Sequence, residues 1–293
     1  MFSGSIVAIV TPMQADSAVD FDALDRLVDF HLDNGTDGIV AVGTTGESAT
    51  LDVEEHIEVV RRVVQKAAKR LPVIAGTGAN ATSEAILQTR LAKEVGADAC
   101  LLVTPYYNKP TQEGLYRHYR AVAEAVDTPL FLYNVPGRTA CDMKPQTVLR
   151  LAEIRNIVGL KEASSSLERN RELSNLLGSR LCLFSGDDDI AIESVLAGFR
   201  GVISVTANVV PRLVHEAISV ALEGHADAAR ALNDRLRPLH RALFLESNPI
   251  PVKWALARLG LIGDGIRLPL TPLATQYHAE VFEALQAAGI GFA

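Results

Sequence analysis

Ile157-Val158-Gly159-Leu160-Lys161 is an apolar run that ends in a lysine. Consecutive apolar residues without polar alternation are typical of a parallel strand that is buried on both faces. An ammonium group at the end of such a strand is expensive to bury unless it has a partner or a chemical task. Burial disfavours the charged form, and a neutral amine is the nucleophile that forms Schiff bases with carbonyl compounds. The alternative is a structural lysine paired with a nearby carboxylate such as Glu162.

Seven further apolar runs resemble the one before Lys161. They are Ile6–Val10, Gly38–Val42, Val73–Ala75, Cys100–Val103, Leu130–Tyr133, Leu181–Phe184 and Val202–Val205. Helical patterns separate the runs, so eight β-then-α units follow one another. This order predicts the α/β class and a parallel sheet that closes into a (β/α)₈ TIM barrel. The alternative, a doubly wound open sheet, needs a GxGxxG turn after an early strand, and the sequence has none.

The ends of the helical patterns divide the chain into two regions. Asp20, Asp52 with Glu55, Thr82 and Thr111 are the predicted N-caps of the first four helices. The barrel is predicted over residues 1–222. Residues 223–293 are predicted to form a C-terminal helical region, with helices over 226–246, 249–259 and 276–288.

Composition limits the classes of partner. The net charge is −7, and no basic stripe is visible, which argues against nucleic acid and anionic membranes as partners. No apolar run is long enough to span a bilayer, and the N-terminus has no signal-peptide pattern. The three cysteines are widely spaced and fit reduced thiols, so we expect a cytoplasmic protein with a small-molecule partner.

In a TIM barrel the active site lies where the strands end, so the residues that follow each run are the candidates. Lys161 ends the sixth run, and Tyr133 ends the fifth. Thr44 and Thr45 follow the second. Strand alternation predicts these inward-facing positions: Val40, Val42, Phe131, Gly159. A lysine, a tyrosine and a threonine are therefore expected at the barrel mouth.

Gly43-Thr44-Thr45-Gly46 can turn sharply and present backbone N–H groups with two hydroxyls, which suits a carboxylate. The alternative is an ordinary turn between a strand and a helix. Arg138 follows a Pro-Gly bend and is either a carboxylate clamp or an exposed loop charge. Tyr106 and Tyr107 fit a subunit contact.

Asp187, Asp188 and Asp189 are consecutive, so their side chains point different ways. No matching pair of histidines exists at another strand end. This pattern favours a cap on the next helix over a metal site.

Three segments together resemble the dihydrodipicolinate synthase/N-acetylneuraminate lyase family of lysine-dependent aldolases. They are Gly43-Thr44-Thr45-Gly46-Glu47, Tyr133-Asn134-Val135-Pro136-Gly137-Arg138 and Gly159-Leu160-Lys161-Glu162-Ala163. The resemblance covers the whole chain. Thr44-Thr45, in place of the Ser-Thr of neuraminate lyases, and Arg138 resemble the synthase branch.

The resemblance implies a reaction and a role for each matching residue. Lys161 condenses with pyruvate, and the resulting enamine attacks aspartate-4-semialdehyde. Tyr133 is the general acid/base, and Thr44 links it to Tyr107 of a neighbouring subunit. Thr45 holds the pyruvate carboxylate and Arg138 that of the semialdehyde. The remaining positions that line the site are Gly186 and the carbonyl of Ile203. No metal or organic cofactor is implied.

The resemblance also implies an assembly and a regulator. The family is usually a homotetramer, a dimer of dimers, and some members are inhibited by lysine. The positions that match the lysine site are Ser48, Ala49, His56, Asn80, Glu84 and Tyr106. Val53 departs from the regulated pattern, in which a polar residue is common. Ser164-Ser165-Ser166 stands where Thr-Gly-Asp is common.

Two other functions compete with this one. Another pyruvate aldolase of the same family would keep Lys161 and Tyr133 and act on a sugar acid, which needs hydroxyl partners rather than Arg138. A catalytically silent barrel would lack the lysine or the tyrosine, and both are present.

Overall fold

The computed structural model describes residues 2–291 and shows a closed barrel of eight parallel strands. Neighbouring strands are consecutive in sequence, and the first pairs with the eighth. The strands are β1 (Gly4–Ala8), β2 (Gly38–Ala41), β3 (Val73–Gly76), β4 (Ala99–Val103), β5 (Leu130–Asn134), β6 (Ile157–Glu162), β7 (Cys182–Ser185) and β8 (Gly201–Ser204). Every predicted apolar run forms a strand, so the predicted barrel is confirmed and the doubly wound alternative is wrong.

Helices connect the strands and form the C-terminal region. Those of the barrel are α1 (Phe21–Asp33), α2 (Val53–Ala67), α3 (Thr82–Glu94), α4 (Gln112–Ala125), α5 (Pro136–Thr139), α6 (Pro145–Leu151), α7 (Leu167–Leu177), α8 (Ala191–Leu196) and α9 (Pro211–Leu222). The C-terminal helices are α10 (Ala226–Ala242), α11 (Ile250–Arg258) and α12 (His278–Ala287). Short 3₁₀ turns occupy Ser48–Thr50, Thr206–Asn208 and Thr275–Tyr277.

Three of the four predicted helix caps are confirmed. The side chains of Asp20, Asp52 and Thr111 each accept a hydrogen bond from a backbone N–H of the first helical turn. Thr82 is not a cap, because α3 begins at Thr82 itself. Its hydroxyl instead pairs with Nδ1 of His118 on α4, at 2.9 Å.

The barrel interior is packed with side chains rather than open. Phe131 and Phe184 cross it with ring centroids 6.0 Å apart, and Phe2 packs edge-on against Phe131 at 5.1 Å. A larger apolar layer lies between the strands and the surrounding helices. Because aromatic rings fill the interior, room for a substrate lies at the strand ends.

The predicted register is confirmed except at Val42. Val40 and Phe131 belong to the interior cluster, and Gly159 lies directly against the ring of Phe131. Val42 packs in the outer layer instead. Its φ of +53° ends the strand alternation one residue after β2, so the face that it presents is reversed.

The C-terminal region contains the three predicted helices, each a few residues shorter than predicted. α10 packs against α9 and α12. The division at residues 222 and 223 stays a prediction. The outermost parts of the two predicted regions, residue 1 and residues 292–293, lie outside the described residues. Within residues 2–291, every helix is too short or too polar to cross a membrane.

Gly159→Ala should destabilise the barrel. An added Cβ would lie 2.2 Å from Cε1 of Phe131 and 2.8 Å from the carbonyl oxygen of Cys182, so a ring or a strand must move. Overpacking of this kind lowers the free energy of unfolding by about 1–3 kcal/mol, which urea denaturation can measure. Gly137→Ala is the control, because its added Cβ meets nothing within 4 Å. Equal denaturation midpoints for the two variants would contradict the prediction.

Candidate active site

Lys161 lies on the inner face of β6, at the mouth of the barrel. Its side chain is only 6% exposed, and its Nζ lies 4.4 Å from the centroid of the Tyr133 ring. The two residues are register partners on β5 and β6. Among residues 2–291, no carboxylate lies within 4.0 Å of this nitrogen. The amine is therefore buried, beside an aromatic face and without an ion pair inside 4.0 Å, although its charge acts to lower the pKa of the nearby Asp187 carboxyl.

The alternative of a structural pair between Lys161 and Glu162 is wrong. Glu162 is the next residue on β6, so its side chain points to the opposite face of the sheet. There it accepts hydrogen bonds from Nδ2 of Asn134 on both carboxylate oxygens, at 3.1 Å each. Asn134 also donates to Asp142, so one amide connects two acidic side chains outside the barrel interior.

Burial changes the ionisation of Glu162. Desolvation raises the pKa of its carboxyl to about 7, and the hydrogen bond from Asn134 opposes the rise. The nearby negative charge of Asp142 acts in the same direction as desolvation. Glu162 therefore titrates near neutral pH, and its side chain lies on the opposite face of β6 from that of Lys161.

The Gly43–Glu47 segment forms two successive turns after β2. Gly46 N–H donates to the carbonyl of Gly43, and Glu47 N–H donates to that of Thr44, each at 3.1 Å. Gly46 has no room for a side chain, because a Cβ would lie 2.9 Å from Cα of Val42. The two threonines thus occupy the centre of a tight turn at the barrel mouth, as the anion-binding hypothesis requires.

Asn248 connects two of the predicted binding residues. Its Nδ2 donates to the Thr45 hydroxyl at 3.0 Å, and its carbonyl accepts from Nη2 of Arg138 at 3.2 Å. Asn248 is only 5% exposed, and its Oδ1 has no hydrogen-bond partner. Asn248 is not among the site residues predicted from the sequence. Asn248-Pro249 indicated only a turn before a helix, and no local pattern shows that the turn returns to the barrel mouth.

Gly186 and Ile203 both lie near the barrel axis. A Cβ on Gly186 would lie 2.9 Å from Cε of Lys161, so the absence of a side chain leaves room for the lysine. Ile203 is fully buried and is the register partner of Ile6. Gly186 therefore touches the lysine directly, while Ile203 belongs to the packed interior.

Tyr107 does not join the other candidates within one chain. It is 90% exposed and has a φ of +75°. The Thr44 hydroxyl makes no hydrogen bond to any residue from 2 to 291. The structure thus brings Lys161, Tyr133 and Gly186 together, and it leaves the predicted link from Thr44 to Tyr107 unmade in a single chain.

The residues matched to a lysine site lie beside the second, third and fourth strand ends. His56 is buried and hydrogen-bonds through Nε2 to the carbonyl of Gly76 at 2.7 Å. Burial lowers the pKa of His56, so its ring is neutral at neutral pH. Burial, and after it the charge of Glu84, raise the pKa of Tyr106. Asn80 accepts a hydrogen bond from Asn108 at 2.8 Å. Ser48 and Ala49 occupy the short 3₁₀ turn after Glu47.

The predicted helix-capping role of the three aspartates is wrong. α8 follows Ile190 and has no side-chain cap. Asp188 instead holds the end of β8, where it accepts hydrogen bonds from N–H of Val205 at 2.9 Å and of Thr206 at 3.1 Å. Asp187 accepts from N–H of Ser165 at 2.8 Å. Asp187 and Asp188 therefore bind backbone N–H groups at neighbouring strand ends instead of those at the start of α8. Among the described residues, no three His, Cys, Asp or Glu side chains are arranged to hold a metal.

Comparison with known proteins matches the whole chain to one family. The model of the dihydrodipicolinate synthetase family matches residues 1–288. The chain is 61% identical over 290 residues to 4-hydroxy-tetrahydrodipicolinate synthase of Ectopseudomonas mendocina, which covers 99% of both chains.

Two solved structures are similar in fold over almost their whole length. Dihydrodipicolinate synthase from Acinetobacter baumannii, a chloride-inhibited enzyme complexed with pyruvate, is 56% identical with a TM-score of 0.98, covering 99% of this chain and 100% of that one. The Cyanidioschyzon merolae enzyme with lysine bound is 39% identical with a TM-score of 0.95, covering 98% of each.

Glu162→Gln should change how stability depends on pH. A folded-state pKa of about 7 exceeds the ordinary value of 4.5, so the folded state binds the proton more tightly than the unfolded state. That contribution to stability is complete below pH 4.5 and is lost as pH rises through 7. Glutamine cannot ionise, so the variant does not lose this stability as pH rises. Its free energy of unfolding, relative to that of the native chain, should therefore be roughly 2–3 kcal/mol higher at pH 8 than at pH 5.

Urea denaturation of both proteins at the two pH values measures this difference. Glu94→Gln is the control, because Glu94 is exposed at the end of α3. A difference between Glu162→Gln and the native chain that stays constant from pH 5 to pH 8 would contradict the prediction.

Proposed function

Because this chain belongs to the dihydrodipicolinate synthetase family, we propose that it condenses pyruvate with L-aspartate-4-semialdehyde to form 4-hydroxy-tetrahydrodipicolinate. The observation that carries the proposal is the buried amine of Lys161, which lies beside Tyr133 and forms no ion pair with a described residue. An amine without a carboxylate partner is free to be a nucleophile. The enzyme is a lyase of lysine and diaminopimelate biosynthesis.

Lys161 begins the reaction as the nucleophile. Its amine adds to the ketone carbon of pyruvate, water leaves, and a protonated imine forms. This iminium is an electron sink that makes the pyruvate methyl group acidic. Loss of a methyl proton gives an enamine whose carbon attacks the aldehyde carbon of the semialdehyde. The amino group of the condensed product then attacks the imine carbon, which closes the ring and releases the Lys161 amine. This chemistry requires neither a metal nor an organic cofactor.

Tyr133 is the proposed proton donor and acceptor. Its ring contacts the lysine side chain, so the phenol lies at the reacting centre. Once the phenol has passed its own proton to the Thr44 hydroxyl, its oxygen can take the methyl proton, and the phenol can then protonate the alkoxide that forms from the aldehyde. In the proposal, Thr44 links Tyr133 to Tyr107 of a neighbouring subunit, which exchanges protons with solvent.

The turn after β2 and Arg138 are the proposed carboxylate sites. Thr45 and the backbone N–H groups of its turn hold the carboxylate of pyruvate. Arg138 has five N–H donors and uses one on the carbonyl of Asn248, so a planar pair remains for the carboxylate of the semialdehyde. Gly186 and the carbonyl of Ile203 line the space between these sites. An exposed guanidinium suits a carboxylate better than a sugar hydroxyl, and the comparisons do not favour the sugar-acid alternative.

The proposal includes an assembly and a cellular location. Tyr107 is exposed in one chain, so a role for it at Lys161 requires a second subunit. We propose a homotetramer built as a dimer of dimers, located in the cytoplasm. Lysine inhibition at Ser48, Ala49, His56, Asn80, Glu84 and Tyr106 stays a hypothesis, supported by the similar structure with lysine bound. The half-exposed Val53 at the start of α2 is the departure that weakens it.

Reduction with borohydride in the presence of pyruvate should attach a stable adduct to Lys161 alone. The imine is reduced to a secondary amine that mass spectrometry of peptides can locate. Lys161→Ala should take up no adduct while it remains folded. An adduct on another lysine, or none in the native chain, would refute the proposed nucleophile.

Tyr133→Phe should lower the turnover of pyruvate and semialdehyde by roughly 10²–10⁴, the usual range for loss of a general acid/base. A coupled assay that follows the product measures the rate. Tyr116→Phe on α4 is the matched control, because Tyr116 stacks with Arg150 at the surface and should leave turnover unchanged. Normal turnover in Tyr133→Phe would remove Tyr133 from the mechanism.

A further inference from the structure

Glu47 and Lys253 form an ion pair that is buried between the barrel and the C-terminal region. Lys253 on α11 donates a hydrogen bond to Oε1 of Glu47, which ends the turn after β2. Glu47 is 3% exposed and Lys253 is 4% exposed. The second carboxylate oxygen accepts from the backbone N–H of Arg267 at 3.3 Å. Both oxygens of Glu47 are therefore held by residues that lie more than 200 positions later in the sequence.

Stability alone is a poor explanation for this pair. Removing two charges from water costs several kcal/mol for each ion, and replacing a buried pair with apolar residues is often neutral or stabilising. Burial also lowers the pKa of Lys253, which shows that desolvation outweighs the attraction of Glu47. Buried pairs are best understood where they select one geometry over others.

The geometry that this pair selects is that of the turn. Glu47 has a φ of +58°, a left-handed conformation that a residue with a side chain adopts only at a cost of about 1–2 kcal/mol. Its N–H closes the turn that contains Thr45, through the carbonyl of Thr44 at 3.1 Å. A displacement of the Glu47 side chain should therefore shift the backbone of the turn, and with it Thr44 and Thr45.

A second contact from the same C-terminal segment supports this view. Asn248 lies five residues before Lys253 and donates to the hydroxyl of Thr45. Arg267 continues the connection, because its guanidinium makes two hydrogen bonds of 2.6 Å to Glu55 and one of 2.8 Å to the carbonyl of Thr50. The segment from Asn248 to Arg267 therefore hydrogen-bonds to the turn at Thr45, at Glu47 and, just beyond it, at Thr50.

We propose that Glu47 and Lys253 are positioning residues that hold the Gly43–Glu47 turn in the conformation that binds the carboxylate of pyruvate. This inference rests on the proposed function, since it assigns the pair to the pyruvate subsite. Neither side chain touches the substrate. The pair acts through the backbone of the turn, and the C-terminal region is thereby a part of the binding site rather than an appendage to it.

A single and a double variant separate positioning from stability. Lys253→Met leaves Glu47 buried without a partner and should be destabilised. Glu47→Gln with Lys253→Met removes both charges at nearly constant volume and should recover the stability that the single change loses. In both, the pyruvate concentration that gives half-maximal borohydride trapping should rise roughly 10- to 100-fold, because displacements of about 1 Å in a binding group have effects of this size. The KM for pyruvate should rise with it, while kcat at saturating pyruvate falls by less than the rise in KM.

Arg62→Met is the matched control. Arg62 pairs with Asp25 through hydrogen bonds of 2.8 Å and 2.7 Å between α2 and α1, away from the strand ends. This variant should keep the native half-saturating concentration. Glu47→Gln alone changes a single polar atom. If Lys253→Met and the double variant do not fold, this variant should show the same rise in the half-saturating pyruvate concentration.

A native half-saturating concentration in the folded double variant, or in Glu47→Gln, would overturn the inference and leave the pair a structural feature. The native chain distinguishes this failure from failure of the proposed function. Trapping of pyruvate on Lys161 in the native chain tests the function, and only the change in half-saturation tests the pair.

Discussion

The barrel mouth is arranged around an amine that is buried without an ion-pair partner among the described residues. Lys161 can occupy this position because β6 is one of eight parallel strands that place their last inward residues around one axis. The ring of Tyr133 offers a weakly attractive face instead of a carboxylate, so the lysine stays ordered without being neutralised by an ion pair. Glycine at position 186 leaves the room that the lysine side chain needs. The rest of the mouth is arranged around this nitrogen.

Acidic groups surround the site but are kept from the nitrogen by strand geometry. Glu162 follows Lys161 directly, yet the pleat sends it outward to Asn134. Asp187 and Asp188 follow Gly186, yet their carboxylates are taken by backbone N–H groups of Ser165, Val205 and Thr206. Each of these carboxylates has hydrogen-bond donors of its own, so none forms an ion pair with the amine, although the charge of Lys161 still acts to lower the pKa of Asp187. The same carboxylates also hold the ends of β6 and β8 in place.

The side of the mouth that is proposed to bind carboxylates depends on residues distant in the sequence. Asn248 and Lys253 reach back from the C-terminal region to the turn after β2, and Asn248 also meets Arg138. Without these contacts, the turn after β2 and the segment that carries Arg138 would have fewer hydrogen bonds to fix their conformation. Here buried hydrogen bonds and one buried ion pair fix those loops, and fixed donors bind an anion without reorganising.

Sequence alone determined the barrel, its strand order and the identity of the lysine, tyrosine and arginine at the mouth. These features follow from local patterns: apolar runs of strand length, caps such as Asp52 with Glu55, and residues placed where a run stops. The position of Val42, the partners of the three aspartates and of Thr82, and the role of Asn248 and Lys253 were decided only by the tertiary structure. A left-handed residue reverses the face of a strand, and a buried polar group takes whichever partner the packed chain brings nearest. Neither effect can be read from a local sequence pattern, and the contacts of Asn248 and Lys253 join segments more than 200 residues apart in the sequence.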